Sequence, residues 1–186
     1  MVVSRNYAYF SPKEYLELEQ MSNIKHEYSQ GKVYVMAQKS DAHVTIMGNL
    51  LTLLRSYLRG KNCRVYFADM KVRIESADVF YYPDIMITCD ARDRDSIYFK
   101  RYPRLIVEVL SSSTEKFDRE GKFNDYKQAD SLEEYVLISQ DKIRVECWRK
   151  NDDGDWVEQI YQKGEEVELT SVNFSCDIEQ LYEDVF

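Results

Sequence analysis

Glycine and proline are scarce in this 186-residue chain, at six and three residues. With that scarcity, and a charged fraction of 31%, long disordered linkers are not expected. The four cysteines, Cys63, Cys89, Cys147 and Cys176, lie far apart with no Cys-x-x-Cys pair. Neither a zinc site nor a disulfide frame is expected from them, only reduced and mostly buried thiols. No charge-free apolar run approaches the roughly 20 residues of a membrane span. The opening MVVSRNYAYF lacks the apolar core of a secretory signal. The expectation is a cytoplasmic protein without membrane contact. Positive charge is also short: 25 Lys and Arg against 33 Asp and Glu leave a net charge of −8. Such a surface repels polyanions, so a nucleic-acid role would need a local basic patch and an acidic site neutralised by metal.

What is present is a core. A 44% hydrophobic and 13% aromatic composition supplies one ordinary domain, read as residues 1–186, and leaves little for a second. Ser11, Pro12 and Glu14 form a capping box opening a helix at SPKEYLELEQM. KHEYSQGKVYVMA reads as a hairpin turning at Ser29–Gly31. Val44, Met47, Leu51, Leu54 and Leu58 recur at helical spacing before Gly60. The short strands CRVYFA, KVRIE, PDIMIT and RLIVEVL follow, then a helix from about Thr114 to Gln128. EEYVLIS and KIRVECW form a second hairpin, DWVEQIYQ and EEVELTS extend a β-rich tail, and DIEQLYEDVF ends in a short helix. The order predicts an α+β fold with a mixed sheet.

One residue contradicts its surroundings. Glu108 stands inside YPRLIVEVLSSST, the most apolar run of the chain. An unpaired buried charge costs several kcal/mol, roughly, unless cations or hydrogen bonds compensate it. Alternation puts Ile106, Glu108 and Leu110 on one strand face, and Asp84, Met86 and Thr88 likewise in YYPDIMITC. Antiparallel pairing of these strands with Thr88 facing Arg104 would set Asp84 opposite Glu108, Cβ atoms about 5 Å apart. Two carboxylates that close need a shared proton or a divalent cation such as Mg²⁺. The competing reading gives each acid its own Arg or Lys. On the following helix Asp118, Lys122 and Tyr126 are spaced by four and share a stripe. A helix folding back over the sheet brings Lys122 roughly 12 Å along its axis, within side-chain reach of Glu108.

The ordered set Pro83–Asp84, EVLSSST at 108–114, Asp118, Lys122 and Tyr126 resembles the Uma-two family of restriction-endonuclease-like proteins, within the PD-(D/E)XK nuclease superfamily. HEYSQGKVYVMA, DAH at 41–43 and EEYVLIS carry the likeness along nearly the whole chain. The resemblance implies a restriction-endonuclease-like fold: a central mixed β-sheet flanked by helices, with C-terminal β-hairpins. It implies Mg²⁺ (or Mn²⁺) held by Asp84 and Glu108, with the Val109 carbonyl and Glu27 assisting. Lys122 would orient or deprotonate a water, supported by Asp118 and Tyr126, and His43 matches a family histidine. DNA is the implied substrate, cut to a 5′-phosphate and a 3′-hydroxyl, and a homodimer the implied assembly. One departure stands out: the superfamily pattern places lysine where this chain has Leu110, and Lys122 would replace it from the helix.

DNA contact is expected over ARDRDSIYFKRYPR, through Arg92, Arg94, Lys100 and Arg101, although Asp90, Asp93 and Asp95 offset much of that charge. The alternatives are a nuclease fold that binds nucleic acid or protein without cutting, favoured by Leu110 and the acidic surface, and a metal-free two-carboxylate glycosidase.

Overall fold

The structure, a computed structural model, describes residues 9–186, so most of the opening stretch read above for a signal lies outside the described residues. Helix α1 (Pro12–Met21) begins with the expected capping box: Glu14 N donates to Ser11 Oγ at 3.3 Å, and Ser11 N to Glu14 Oε2 at 2.8 Å. The hairpin β1 (His26–Ser29) and β2 (Lys32–Val35) turns through Gln30 at φ 48° and Gly31 at φ 83°. A side chain at Gly31 would also meet the Tyr9 ring at 2.3 Å, so glycine is required twice over.

Helix α2 (Asp41–Tyr57) starts at Ser40, whose hydroxyl accepts from His43 N at 3.2 Å. It buries His43, Ile46, Leu50 and Leu54. The expected stripe is thus rotated by about one residue, and Val44 is 48% exposed. The sequence is apolar at nine positions between Val44 and Leu58, so periodicity admits two phases and packing on the sheet chooses one.

Eleven strands in two sheets follow from the pairing. The first has the order β2, β1, β5 (Val79–Tyr81), β4 (Lys71–Ile74), β7 (Phe99–Lys100). The second is β11 (Trp156–Gln162), β10 (Arg144–Lys150), β9 (Glu134–Ser139), β8 (Pro103–Leu110), β6 (Ile85–Thr88), β3 (Arg64–Phe67). It is mixed: β8 runs antiparallel to β6 and parallel to β9. A separate hairpin, β12 (Glu166–Leu169) with β13 (Phe174–Asp177), leads into the final helix α4 (Ile178–Leu181). This is the α+β arrangement with a mixed sheet that was expected, joined by a second large sheet that the pattern did not announce.

Strand alternation distributes the core. Ile85, Ile87, Leu105, Val107 and Val109 pack beneath α2, β12–β13 and α4. Met86, Ile106, Leu110 and Leu137 face the other way, against Val72, Ile74, Val79 and Tyr81 of the first sheet. Each such fully buried side chain contributes about 1.5–3 kcal/mol. Glu108 shares the second face, and is therefore walled in by both sheets.

The thiol expectation is half wrong. Cys147 and Cys176 are free and buried, but Cys63 and Cys89 form a disulfide. Arg64 pairs with Thr88, so the residues just outside, Cys63 and Cys89, face each other with Cα atoms 4.0 Å apart. Spacing in sequence carries no trace of that register. Disulfides are rare in reducing compartments, so the thiol count no longer supports a cytoplasmic setting. No helix of the described residues is long and apolar enough to cross a membrane.

Candidate active site

The β6–β8 register fixes the two acids. Ile85 faces Val107, Met86 faces Ile106, and continuing outward Asp84 stands level with Glu108. The register slips beyond Ile87, so Thr88 faces Pro103 rather than Arg104, without disturbing the Asp84 end. Asp84 N approaches Glu108 Oε2 at 3.3 Å, and Val109 N donates to Asp84 Oδ2 at 2.8 Å. Both carboxylates are only 3% exposed.

The rest of the site comes from a helix of unusual width. Residues Phe117–Lys122 form a π-helical turn continued by α3 (Phe123–Tyr126). Such turns frequently accompany functional sites. Gly121 makes room for it, since a Cβ there would meet the Phe117 ring at 2.5 Å. Tyr135 OH anchors the turn on the Asp118 carbonyl at 2.9 Å. Lys122 Nζ then lies 3.1 Å from Glu27, 3.2 Å from Glu108 and 3.4 Å from Asp118. Tyr126 OH donates to Glu108 Oε1 at 2.9 Å. Tyr82 N donates to Glu27 Oε1 at 3.1 Å, tying β1 to the cluster.

Asp84 has its own basic neighbours. Lys39 pairs with its Oδ1, and His43 Nε2 lies 3.0 Å from the same oxygen. The histidine approach is off the hydrogen-bond direction, and its Nδ1 has no partner. Burial would raise the Asp84 pKa, but His43 and Lys39 outweigh it and hold the carboxyl down to about 2. Glu108 goes the other way: burial pushes it up to about 8, Lys122 opposes, and Asp84, Asp118 and Glu27 add to the rise. Burial would lower Lys122, yet Glu108, Glu27 and Asp118 together raise it well above its ordinary value.

Four carboxylates (Glu27, Asp84, Glu108, Asp118) thus surround two lysines in a cavity of about 110 Å³. Among the described residues no three His, Cys, Asp or Glu side chains are arranged to hold a metal ion. Mg²⁺, however, usually takes one or two carboxylates and completes its shell with waters and substrate phosphate. Two facing carboxylates in a pocket with more acids than cations fit such an ion in donor type and in charge. Asp84 and Glu108 are the residues able to hold it, with Glu27 one lysine away.

Every residue expected around the acids converges here: Glu27, His43, Asp118, Lys122 and Tyr126. Lys39 was missed. Its one signal was its place four residues before His43, on the loop leading into α2. The basic loop fares differently. Lys100 is buried with its amine on the Asp93 carbonyl at 2.7 Å, so it is structural and cannot meet DNA. All three arginines of the loop are exposed, but Arg92 is paired with Asp90 and Arg101 with Glu75, so among the described residues Arg94 alone of them forms no ion pair.

Comparison with known proteins bears on family and fold. The Uma2 family, described as "Putative restriction endonuclease", matches residues 12–179. Two uncharacterised proteins of Synechocystis sp. are similar in sequence. One, slr1290, is 41% identical over 92% of this chain and 90% of its own length. The other, sll1609, is 31% identical over 84% and 90%. A crystal structure from Anabaena variabilis, described as "a putative nuclease belonging to DUF820", superposes with a TM-score of 0.78 at 16% identity, covering 94% of this chain and 98% of that one. That likeness concerns the fold; the match along nearly the whole sequence concerns descent, and this chain belongs to the Uma2 family of restriction-endonuclease-like proteins.

Proposed function

We propose that this protein is a Mg²⁺- or Mn²⁺-dependent endodeoxyribonuclease, built as one nuclease-like domain. The observation that carries the reading is the pair Asp84–Glu108 facing each other in a pocket where four carboxylates share two lysines. An ion held by Asp84 and Glu108, with the Val109 carbonyl and Glu27 assisting, would supply Lewis acidity toward a water and the scissile phosphate. The chain's own groups do the rest. Val109 N, His43 and Lys39 fix the Asp84 carboxylate. Tyr126 fixes that of Glu108. Lys122, held charged, orients the attacking water and stabilises the negative charge that grows on the phosphate. Asp118 and Glu27 hold its amine in place.

Incubation of supercoiled and branched DNA with Mg²⁺, Mn²⁺ or EDTA tests this. Cleavage in either metal, lost in EDTA and in Asp84→Ala, is the expected result; no cleavage under any condition refutes it. A second reading, a nuclease fold that binds without cutting, is favoured by one observation: Asp84 is already met by Lys39, His43 and Val109 N. Duplex binding with no cleavage in either metal is its signature. The exposed flank of β11, an edge strand, supports a homodimer by edge pairing, which light scattering decides.

A further inference from the structure

The basic loop is largely neutralised by its own acids, which leaves open how so acidic a protein would hold a polyanion. A second set of cations answers this. From Ala42 to Ala68 the chain carries no Asp or Glu at all, and in that stretch lie Arg55, Arg59, Lys61 and Arg64. All four are exposed. None takes part in the ion pairs formed among the described residues. Arg55, Arg59 and Arg64 line a cleft of about 390 Å³ floored by Leu58 and Val65.

The position of the cleft follows from two elements that both touch the site. Helix α2 starts at the site, with His43 beside Asp84, and reaches Arg55 twelve residues on, roughly 18 Å along its axis. Strand β3 then returns: Arg64 is level with Thr88, and Phe67 with Ile85, next to Asp84. Arg64 is therefore roughly 10 Å up the strand from the site. At about 3.4 Å per base pair, 10–18 Å corresponds to roughly three to five base pairs from a phosphate at the acids. Arg55 lies in the last turn of α2 and Arg59 in the turn that follows the helix, and both border the cleft with Arg64. Guanidinium forks are suited to phosphate oxygens in two-pronged contact. We infer that the cleft of Arg55, Arg59 and Arg64 grips the phosphodiester backbone of a duplex whose scissile phosphate lies at Asp84–Glu108. The inference rests on the nuclease reading and adds the surface that positions the substrate.

Fluorescence anisotropy with a labelled duplex in EDTA, titrated over a range of KCl, tests it without relying on cleavage. The variant Arg55→Gln/Arg59→Gln/Arg64→Gln is expected to bind at least about tenfold more weakly at low salt, and its log–log salt slope to flatten by roughly 2–3. Replacing the three by Lys keeps the charge and is expected to retain most of the slope. An unchanged slope in the Gln variant, with wild type binding normally, overturns this inference and leaves the nuclease reading standing. A wild type that binds no duplex removes both. Retention of wild type, but not the Gln variant, on phosphatidylserine vesicles together with no duplex binding assigns the cleft to a membrane surface instead.

Discussion

Glu108 and two other glutamates of the same sheet, Glu134 and Glu146, are all nearly fully buried, yet their surroundings are opposite in kind. Glu134 has Arg149 at 2.9 Å and two donations from Ser171, at 2.8 and 3.1 Å. Glu146 is bracketed by Arg119 and by Arg144 at 2.7 Å. Burial would raise the Glu146 carboxyl, and the two guanidinium groups outweigh that and lower it. Each of those acids has arginine to itself. Glu108 must share one lysine with Glu27 and Asp118 while Asp84 stands opposite, and its carboxyl is pushed up. Burial of an acid alone therefore says little about function. The local ratio of carboxylates to cations separates an acid that holds the fold together from one with capacity left for an ion.

The largest effect that separates the two kinds is in Glu→Gln variants. Glu108→Gln is expected to lower DNA cleavage at least about 100-fold while leaving thermal stability close to wild type. Glu134→Gln should keep cleavage but lower stability by about 3 kcal/mol, because Arg149 loses its charge partner. Calorimetry beside a cleavage assay checks both; equal losses of activity would erase the distinction.

A smaller effect concerns pH in the presence of chelator. Above pH 4.5 an unfolded Glu108 has released its proton, whereas the folded carboxyl, raised chiefly by burial, keeps it to about 8. Folding takes up a proton across that window, so stability falls as pH rises through it. Melting temperatures from pH 5 to 8 should decline more steeply for wild type than for Glu108→Gln. Parallel curves would mean that Glu108 is already charged in the folded protein.

The smallest effect lies at Glu146. Arg119→Gln should cost about 1 kcal/mol, because Arg144 remains and Arg119 is partly solvated. The difference should be full above pH 4.5 and vanish on acidification, since the carboxyl is lowered in the folded state and its stabilisation is lost as it takes up a proton. Denaturant titrations at neutral and acid pH measure it.

Several features could be read because they depend on neighbours in the chain. Ser11 and Glu14 are three residues apart, so their capping box is local. Asp84 and Glu108 were legible as a pair because alternation and strand polarity leave few registers that bury both apolar faces. The stripe Asp118–Lys122–Tyr126 was legible by spacing, but the widened π turn that aims it was not, because it depends on Phe117 lying over Gly121 and on Tyr135 from another strand. Lys39 was hidden for a similar reason: its partner Asp84 is 45 residues away.

By itself, then, the order of residues determined the element types, the capped helix starts, the two-faced strands and an acid placed where only a compensated charge can sit. Those depend on backbone preference and on the burial of apolar faces, which act over a few residues. Only the tertiary structure decided which cations met which acids, which phase of α2 was buried, that Cys63 and Cys89 would bond, and that three arginines from the end of α2, the turn after it and β3 would line one cleft. Each of these is a contact between distant segments, and its energy exists only after the chain has closed the loops that bring them together.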